Sequence, residues 1–235
     1  AAAHKMTGAF ERSHFRSIYF HEDGPEVDRK LARYLESLAS ALAAFRAETD
    51  CFPIVVGMEA LDRFACERFV AMTAERGGGT PLPLFVADEH EHPAIVGLLR
   101  RATWLVSSRY HAIVCSMPAG VPSVGVTMDE RIANLMNDRG QERLCLTVDD
   151  EALEEKLTLA MRAMRDEAEG LRRGTERAVA THLVRMGEMG RSLVDHVKEA
   201  HPRFPFRAGL GGSGDPIAHL PPLGARLRGI LERAT

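Results

Sequence analysis

A chain of 235 residues, 45 % hydrophobic and 27 % charged, is long enough to bury a sizeable core and ordinary in composition for a globular protein. Its formal net charge of −3 gives no overall attraction to nucleic acid or to an anionic membrane surface, so an anionic ligand needs a local cluster of cations. The cysteines Cys51, Cys66, Cys115 and Cys145 are widely spaced with no CxxC pair, which points away from zinc or a redox centre and toward reduced, buried thiols in a cytoplasmic protein.

The opening stretch AAAHKMTGAFERSHF has neither the apolar core of a signal peptide nor an initiating methionine, and reads as a processed product or a fragment. Ser17 to Phe20 (SIYF) predicts a first strand. Val27, Leu31, Tyr34, Leu35, Leu38, Leu42 and Phe45 recur at three- and four-residue spacing and predict one face of a long helix, with Pro25 near its start, where a missing N–H costs little. Pro53 to Met58 is the next strand. A helix through Leu61, Phe64, Ala65, Phe69 and Met72 follows, stopped at Gly77-Gly78-Gly79. Pro83 to Asp88 is a third strand, and Ile95, Leu98 and Leu99 mark a third helix.

Three more strands, Trp104 to Ser108, Pro122 to Thr127 and Arg143 to Val148, are separated by helices near 109–119 and 129–138. Strands that are apolar without alternation suit a parallel sheet covered on both faces, and right-handed crossovers make this an α/β, doubly wound, Rossmann-like domain over residues 1–165. The uncharged run Ala112 to Met128 is broken by Pro118, Gly120 and Pro122, which argues against a membrane span. After Asp149 the pattern is helical alone, and residues 166–235 read as a helical extension with a Gly/Pro-rich linker at His201 to Pro216 and a short final helix. Leu153, Leu157, Ala160, Met161 and Met164 share one face. Leu171, Val179, Leu183, Met186, Leu193 and Val197 continue it in a stretch that Gly174, Gly187 and Gly190 should weaken by about 1 kcal/mol each. The methionine-rich face is expected to be core.

In an open parallel sheet, ligands bind outside the carboxyl ends of the strands. Ser107, Ser108, Arg109, Tyr110 and His111 lie at such an end. There the first backbone N–H groups of a helix lack acceptors, Ser107 or Ser108 can cap it, and Arg109 can hold a phosphate or carboxylate with its planar fork. His111, one turn in and near the positive end of the helix, is expected to favour its neutral form and to suit accepting or relaying a proton. Position alone leaves a second reading open, in which Arg109 bridges to a neighbouring loop and His111 is a satisfied polar residue at a helix start.

The stretch ATWLVSSRYHAIVCSMPAGVPSVGVTMDERIANLMNDRG resembles the signature of the polysaccharide pyruvyltransferases: an Arg-x-His motif after a strand, a small-residue helix, a Gly-Val-Pro turn, a strand, and a segment like Tyr-Asp-Pro-Lys. It extends more loosely through Leu98 to Ala102 and Gly57 to Phe69, where Asp62 matches an acidic position opening a helix. It covers roughly residues 15–165. The resemblance implies one half of a two-domain GT-B-like fold and transfer of a pyruvyl group from phosphoenolpyruvate to a sugar, forming a cyclic ketal in a cell-envelope polysaccharide precursor. It makes Arg109, with Ser107 and Ser108, the donor-binding group and His111 the acid/base. Asp129 is kept and could border the same cleft with Arg131. Met128 replaces the usual tyrosine, Glu130 the frequent proline, and Arg131 the usual lysine.

By the same resemblance an amino-terminal half is expected to precede this region, so the chain alone is not expected to turn over. The implied partners are phosphoenolpyruvate and a sugar or lipid-linked glycan acceptor, with no nucleic acid, no metal and no cofactor. The implied location is cytoplasmic, peripheral at the inner face of the membrane where the acceptor is lipid-borne. Two rivals stand beside it: a GT-B glycosyltransferase using a nucleotide sugar at the same helix start, and a catalytically silent binding or assembly module of the same fold.

Weaker signals have blander readings. Gly209 to Gly214 (GLGGSG) matches GxGxxG but follows no strand, so a linker is expected. Asp88 to His92 (DEHEH) has a metal-like composition without metal-ligand spacing. A solvated loop near the cleft is expected, with His90 close enough to touch a substrate. Arg100 and Arg101 finish a helix and complement its dipole.

Overall fold

The computed structural model describes residues 24–76, 79–127, 130–206 and 214–234. Helix α1 spans Pro25–Glu48 and is followed by strand β1, Val55–Gly57. A 3-10 turn, Ala60–Asp62, leads into α2, Arg63–Arg76, and then β2, Leu84–Val86. Next come α3, His92–Leu99, and β3, Leu105–Ser107. Helix α4, Tyr110–Ser116, is prolonged by a 3-10 turn at Met117–Ala119 that ends on Gly120, whose φ of 66° favours a residue without Cβ. Then follow β4, Ser123–Thr127; α5, Glu130–Asp138; β5, Cys145–Thr147; and α6, Leu153–Asp166. The chain closes with α7, Ala168–Ala200, a 3-10 turn at Pro216–His219, and α8, Ala225–Ala234.

The strands make two parallel sheets. β1 pairs with β2, Val56 opposite Phe85; β3, β4 and β5 form the other, with Val106 opposite Val124 and Val126 opposite Leu146. Among the described residues no ladder joins β1 to β3. The expected first strand, Ser17 to Phe20, lies outside the described residues, as do most of the GLGGSG stretch and Asp129.

Side chains alternate across a strand, and β4 follows the rule. A Cβ at Gly125 would meet Ile132 and Met136 of α5 and Ile113 of α4, which places α4 and α5 on that face. Ser123 through Val126 are all buried. The main core joins β4 to Phe45 of α1, Met161 and Met164 of α6, Leu171 and Val179 of α7, and Ile230 of α8, so the carboxy-terminal helices share a core with the sheet. A smaller cluster, Met58, Ile95, Leu99 and Ala112, sits by β1.

One expectation about the carboxy-terminal region is corrected, the burial of the whole apolar stripe of α7. Helix α7 runs unbroken through Gly174, Gly187 and Gly190. A Cβ at Gly187 would lie 2.2 Å from the carbonyl oxygen of Pro216, so this glycine lets the 216–219 turn dock on the helix, and that part of the expected linker is packed. The apolar stripe of α7 is core only in its first half: Leu171, Val179 and Leu183 are buried, whereas Met186, Met189 and Leu193 are 50 %, 67 % and 62 % exposed. Among the described residues no helix is long and apolar enough to cross a membrane.

Candidate functional site

The chain leaves β1 through a tight turn organised by one carboxylate. Oδ2 of Asp62 accepts from the backbone N–H of Met58 (3.0 Å) and of Glu59 (3.2 Å), while the Glu59 side chain accepts from the Asp62 N–H, a reciprocal cap on the 3-10 turn. Its other oxygen, Oδ1, accepts from Nε of Arg109 (2.9 Å) and from Nη2 of the same guanidinium. Asp62 therefore ties the carboxyl end of β1 to the carboxyl end of β3 across 47 residues of sequence.

The Asp62 side chain is only 12 % exposed and that of Arg109 is 38 %, so the pair is sheltered at its carboxylate and open at its guanidinium. Nη1 of Arg109 has no protein partner among the described residues. Burial works against the Arg109 charge, yet the hydrogen-bonded carboxylate outweighs it and holds the guanidinium pKa above its ordinary value.

Ser107 acts on the turn, and neither it nor Ser108 caps the helix. The Ser107 hydroxyl accepts from the Arg109 N–H (3.0 Å) and donates to the Arg109 carbonyl (3.3 Å), which bends the strand exit. Arg109 itself is the capping residue of the seven-residue α4, and no side chain caps that helix. The Tyr34 phenol of α1 lies beside the Ser108 hydroxyl. Burial raises the Tyr34 pKa, with the nearby Ser108 hydroxyl and the Arg109 charge pulling the other way. One turn beyond Asp62, the Cys66 thiol is pushed up to about 12 by burial and by the neighbouring carboxylate, so it is a protonated thiol at neutral pH.

His111 is exposed, its ring edge-on to Tyr110 with 5.5 Å between centroids. The Arg131 guanidinium lies 5.9 Å from the centre of the same Tyr110 ring, close enough for a cation–π contact. Arg109, Ser107 and Ser108 thus gather with Asp62 and Tyr34, while His111 and Arg131 flank Tyr110. Asp129 lies outside the described residues.

The acidic loop after β2 is held by α2. Arg63 makes a two-pronged contact with Asp88, from Nε at 2.8 Å and Nη2 at 2.6 Å, and also reaches Glu89 (2.7 Å) and Glu67 (3.2 Å). The Arg63 guanidinium keeps the Asp88 carboxyl below its ordinary range. His90 is half-buried with its ring 5.5 Å from Phe85, and Nε of Arg100 donates to the carbonyl of Cys115, tying α3 to α4. Among the described residues no three His, Cys, Asp or Glu side chains group to hold a metal ion.

Two members of the cluster stand outside the candidate site residues read from the sequence, for different reasons. Tyr34 reads as one more apolar residue of the α1 stripe, and its polar tip matters only because Ser108 lies opposite. Asp62 sits three residues after Glu59, a capping spacing, but nothing local shows that its second oxygen is committed to Arg109. Beneath the cluster a cleft of about 730 Å³ runs between β1 and β3, lined by Leu38 and Leu42 of α1, Val56, Phe69, Val106 and Met161.

Comparison of the chain with protein-family models, with curated proteins and with solved structures gives no match.

Proposed function

We propose that the chain is the donor-binding, Rossmann-like half of a polysaccharide pyruvyltransferase, with a doubly wound sheet, acting in the cytoplasm on a cell-envelope glycan precursor. The observation that carries this reading is the Asp62–Arg109 pair. It joins the two stretches on which the resemblance rests, 57–69 and 98–140, at the carboxyl ends of two parallel strands, where ligands of α/β proteins bind.

Phosphoenolpyruvate carries a phosphate and a carboxylate. The Arg109 guanidinium, on a partly exposed side chain and with Nη1 unpartnered among the described residues, is suited to either, and Asp62 fixes its plane. Ketal formation adds a proton to the methylene carbon of the donor, forms two bonds from its central carbon to acceptor oxygens, and breaks the bond to phosphate. One hydroxyl proton balances the new C–H bond and the other leaves with phosphate. His111, exposed beside Tyr110, is the group in the motif that can carry a proton between these positions.

Calorimetric titration with phosphoenolpyruvate tests the assignment, with a nucleoside diphosphate as comparator. Binding that falls at least about tenfold in Arg109→Ala supports it, since a charge-assisted contact contributes about 1.5–3 kcal/mol. His111→Ala is expected to keep binding and lose turnover when a sugar acceptor and the full complement of domains are supplied. Nucleotide binding alone would favour a glycosyltransferase donor instead, and no binding of either anion would remove the enzyme reading.

A second reading has its own support. Asp62 already neutralises Arg109, an arrangement that serves equally as a structural tie in a silent binding module of the same fold. That reading expects Arg109→Ala to lower stability and leave anion affinity at the level of the unmodified protein.

A further inference from the structure

We propose that the second half of α7 forms an antiparallel helix pair with the same segment of a second copy of this chain. One side of this stretch is already used. Gly187 and Gly190 face the docked 216–219 turn, Nη1 of Arg191 donates to the Gly214 carbonyl (3.2 Å), and the Lys198 ammonium lies 6.0 Å from the centre of the Phe206 ring. A different side is open. Met186, Met189, Leu193, His196 and Ala200 follow one another at spacings of three and four residues, and all five are exposed. At 100° per residue they form a stripe about 80° wide, clear of the covered side. His182, one step nearer the core, is half-buried 3.5 Å from Asp138 of α5 and marks where the open stripe begins. The alternation of three and four is the seam of a two-helix contact, in which each side chain enters a hole between residues of the facing helix. A contiguous apolar stripe on a surface marks an interaction site, and methionines are frequent at the centre of such contacts.

Charge selects the occupant and its direction. Arg185, Ser192 and Glu199 recur at seven-residue spacing, so they stack along one flank of the stripe, and all three are exposed. Among the described residues neither Arg185 nor Glu199 has a hydrogen-bonded or ionic partner. A two-fold axis beside Ser192 brings Arg185 against the partner's Glu199, and the same symmetry brings Glu199 against the partner's Arg185. In that register Met186 lies opposite the partner's His196 and Met189 opposite the partner's Leu193, so the apolar layers and the charge pairs form together. The stripe is therefore complementary to itself. A parallel pair would set Arg185 beside the partner's Gly190 and Ser192 beside the partner's Val197, with no charge satisfied. The flank on that side, Gly190 and Val197, carries no charge to steer another arrangement.

Self-pairing of α7 does not depend on which anion Arg109 holds, and its test is separate. Sedimentation equilibrium of the full chain is expected to show a monomer–dimer system with a dissociation constant in the micromolar range. Leu193→Glu, at an exposed position whose change leaves the circular dichroism spectrum as it was, is expected to weaken the dimer at least about thirtyfold, because symmetry counts the loss twice. Arg185→Glu and Glu199→Arg each set like charges opposite one another at both ends, and each alone is expected to weaken it about tenfold. Mixed in equal amounts, these two variants meet opposite charges at both ends, and the affinity of the unmodified chain should return. A chain that stays monomeric up to about 1 mM would leave the stripe to another protein or to another segment of this chain. A dimer indifferent to Leu193→Glu would be built on another surface, and charge variants that mixing does not rescue would exclude the antiparallel register. Each of these three results overturns the proposal.

Discussion

The two sheets are built from similar apolar strands and end in different surroundings. β4 lies between β3 and β5 and is buried from Ser123 to Val126, with α4 and α5 against one face and α6 packed on the strand. Among the described residues β1 has one strand partner, and neither Val55 nor Val56 is fully buried. Strand propensity is comparable in the two, so what differs is the number of neighbours, which is a property of topology. The region around β4 should therefore carry most of the stability, and the region around β1, with the Asp62–Arg109 pair and the cleft, should be the more responsive to ligand and to pH.

The contrast is sharpest between two arginines. Among the described residues Arg139 is buried without a carboxylate: Nη1 donates to the Ser123 hydroxyl (2.9 Å), Nη2 to that of Thr175 (2.8 Å), and Nε finds no partner there. Arg139→Ala is expected to cost about 3 kcal/mol, because it opens a cavity and strips a hydrogen bond from buried Ser123. Arg139→Met should recover most of that loss, since it fills the space and removes a desolvated charge. Arg109→Ala should cost only about 1 kcal/mol, because the pair is partly solvated and Asp62 keeps two backbone donors. Urea denaturation of the three variants ranks them, and a larger cost at Arg109 would reverse the proposed division of labour.

Two strand glycines extend the comparison. A Cβ at Gly125 in β4 would stand 2.4 Å from Ile132 Cγ2, whereas one at Gly57 in β1 would stand 3.0 Å from Val86 Cγ1. Gly125→Ala is expected to cost about 2 kcal/mol through overpacking, and Gly57→Ala under about 1 kcal/mol. Equal thermal shifts for the two would mean that the β1 side is as tightly packed as the β4 side.

The β1 side also holds a pH response. Cys66 and Tyr34 both lose a proton to become charged, and both have folded pKa values above their ordinary ones. The stability they contribute is complete below the ordinary thiol value of about 8.5 and is lost as pH rises through the folded values, for Cys66 toward 12. Urea midpoints should therefore fall from about pH 9 upward. Cys66→Ala should flatten that fall more than Cys145→Ala, because the Cys145 thiol in β5 is raised by burial alone and has no neighbouring carboxylate adding to it. An unchanged slope in Cys66→Ala would place the alkaline response elsewhere.

These contrasts show which features are local enough to read from sequence. The periodic stripes of α1 and α6 locate those helices because the period alone is the signal. Each strand lies inside its apolar run, yet the ladders cover three to five residues, since pairing requires a neighbour in register. Which strands become neighbours is set by crossovers that no single run encodes. The motif 107–111 spans the end of β3 and the start of α4, the strand-to-helix exit that its sequence implies. The commitment of Arg109 to Asp62 and the approach of Ser108 to Tyr34 depend on contacts between distant segments, whereas the turn made by Ser107 is local. The stripe through Met186, Met189 and Leu193 shows how far a pattern reaches: it marks the capacity to bury, and burial waits on a partner surface.

Gly187 separates local from global effects most finely. Alanine there adds helix propensity of about 1 kcal/mol to α7. It also puts a Cβ 2.2 Å from the Pro216 oxygen and 2.6 Å from its carbonyl carbon, and these are backbone atoms that cannot rotate away. The 216–219 turn, whose Ile217 N–H is held by Asp215, must then lift off as a unit. Global stability is expected to change by less than about 0.5 kcal/mol, because the gained propensity offsets the lost docking while the β4 core is untouched. Protease cleavage between residues 201 and 219 should accelerate several-fold. Gly190→Ala, whose Cβ would approach His219 only to 3.2 Å, should show the same change more weakly. If both alanines left cleavage unchanged, the glycines of α7 would owe nothing to the docked turn, and helix propensity alone would argue for their replacement.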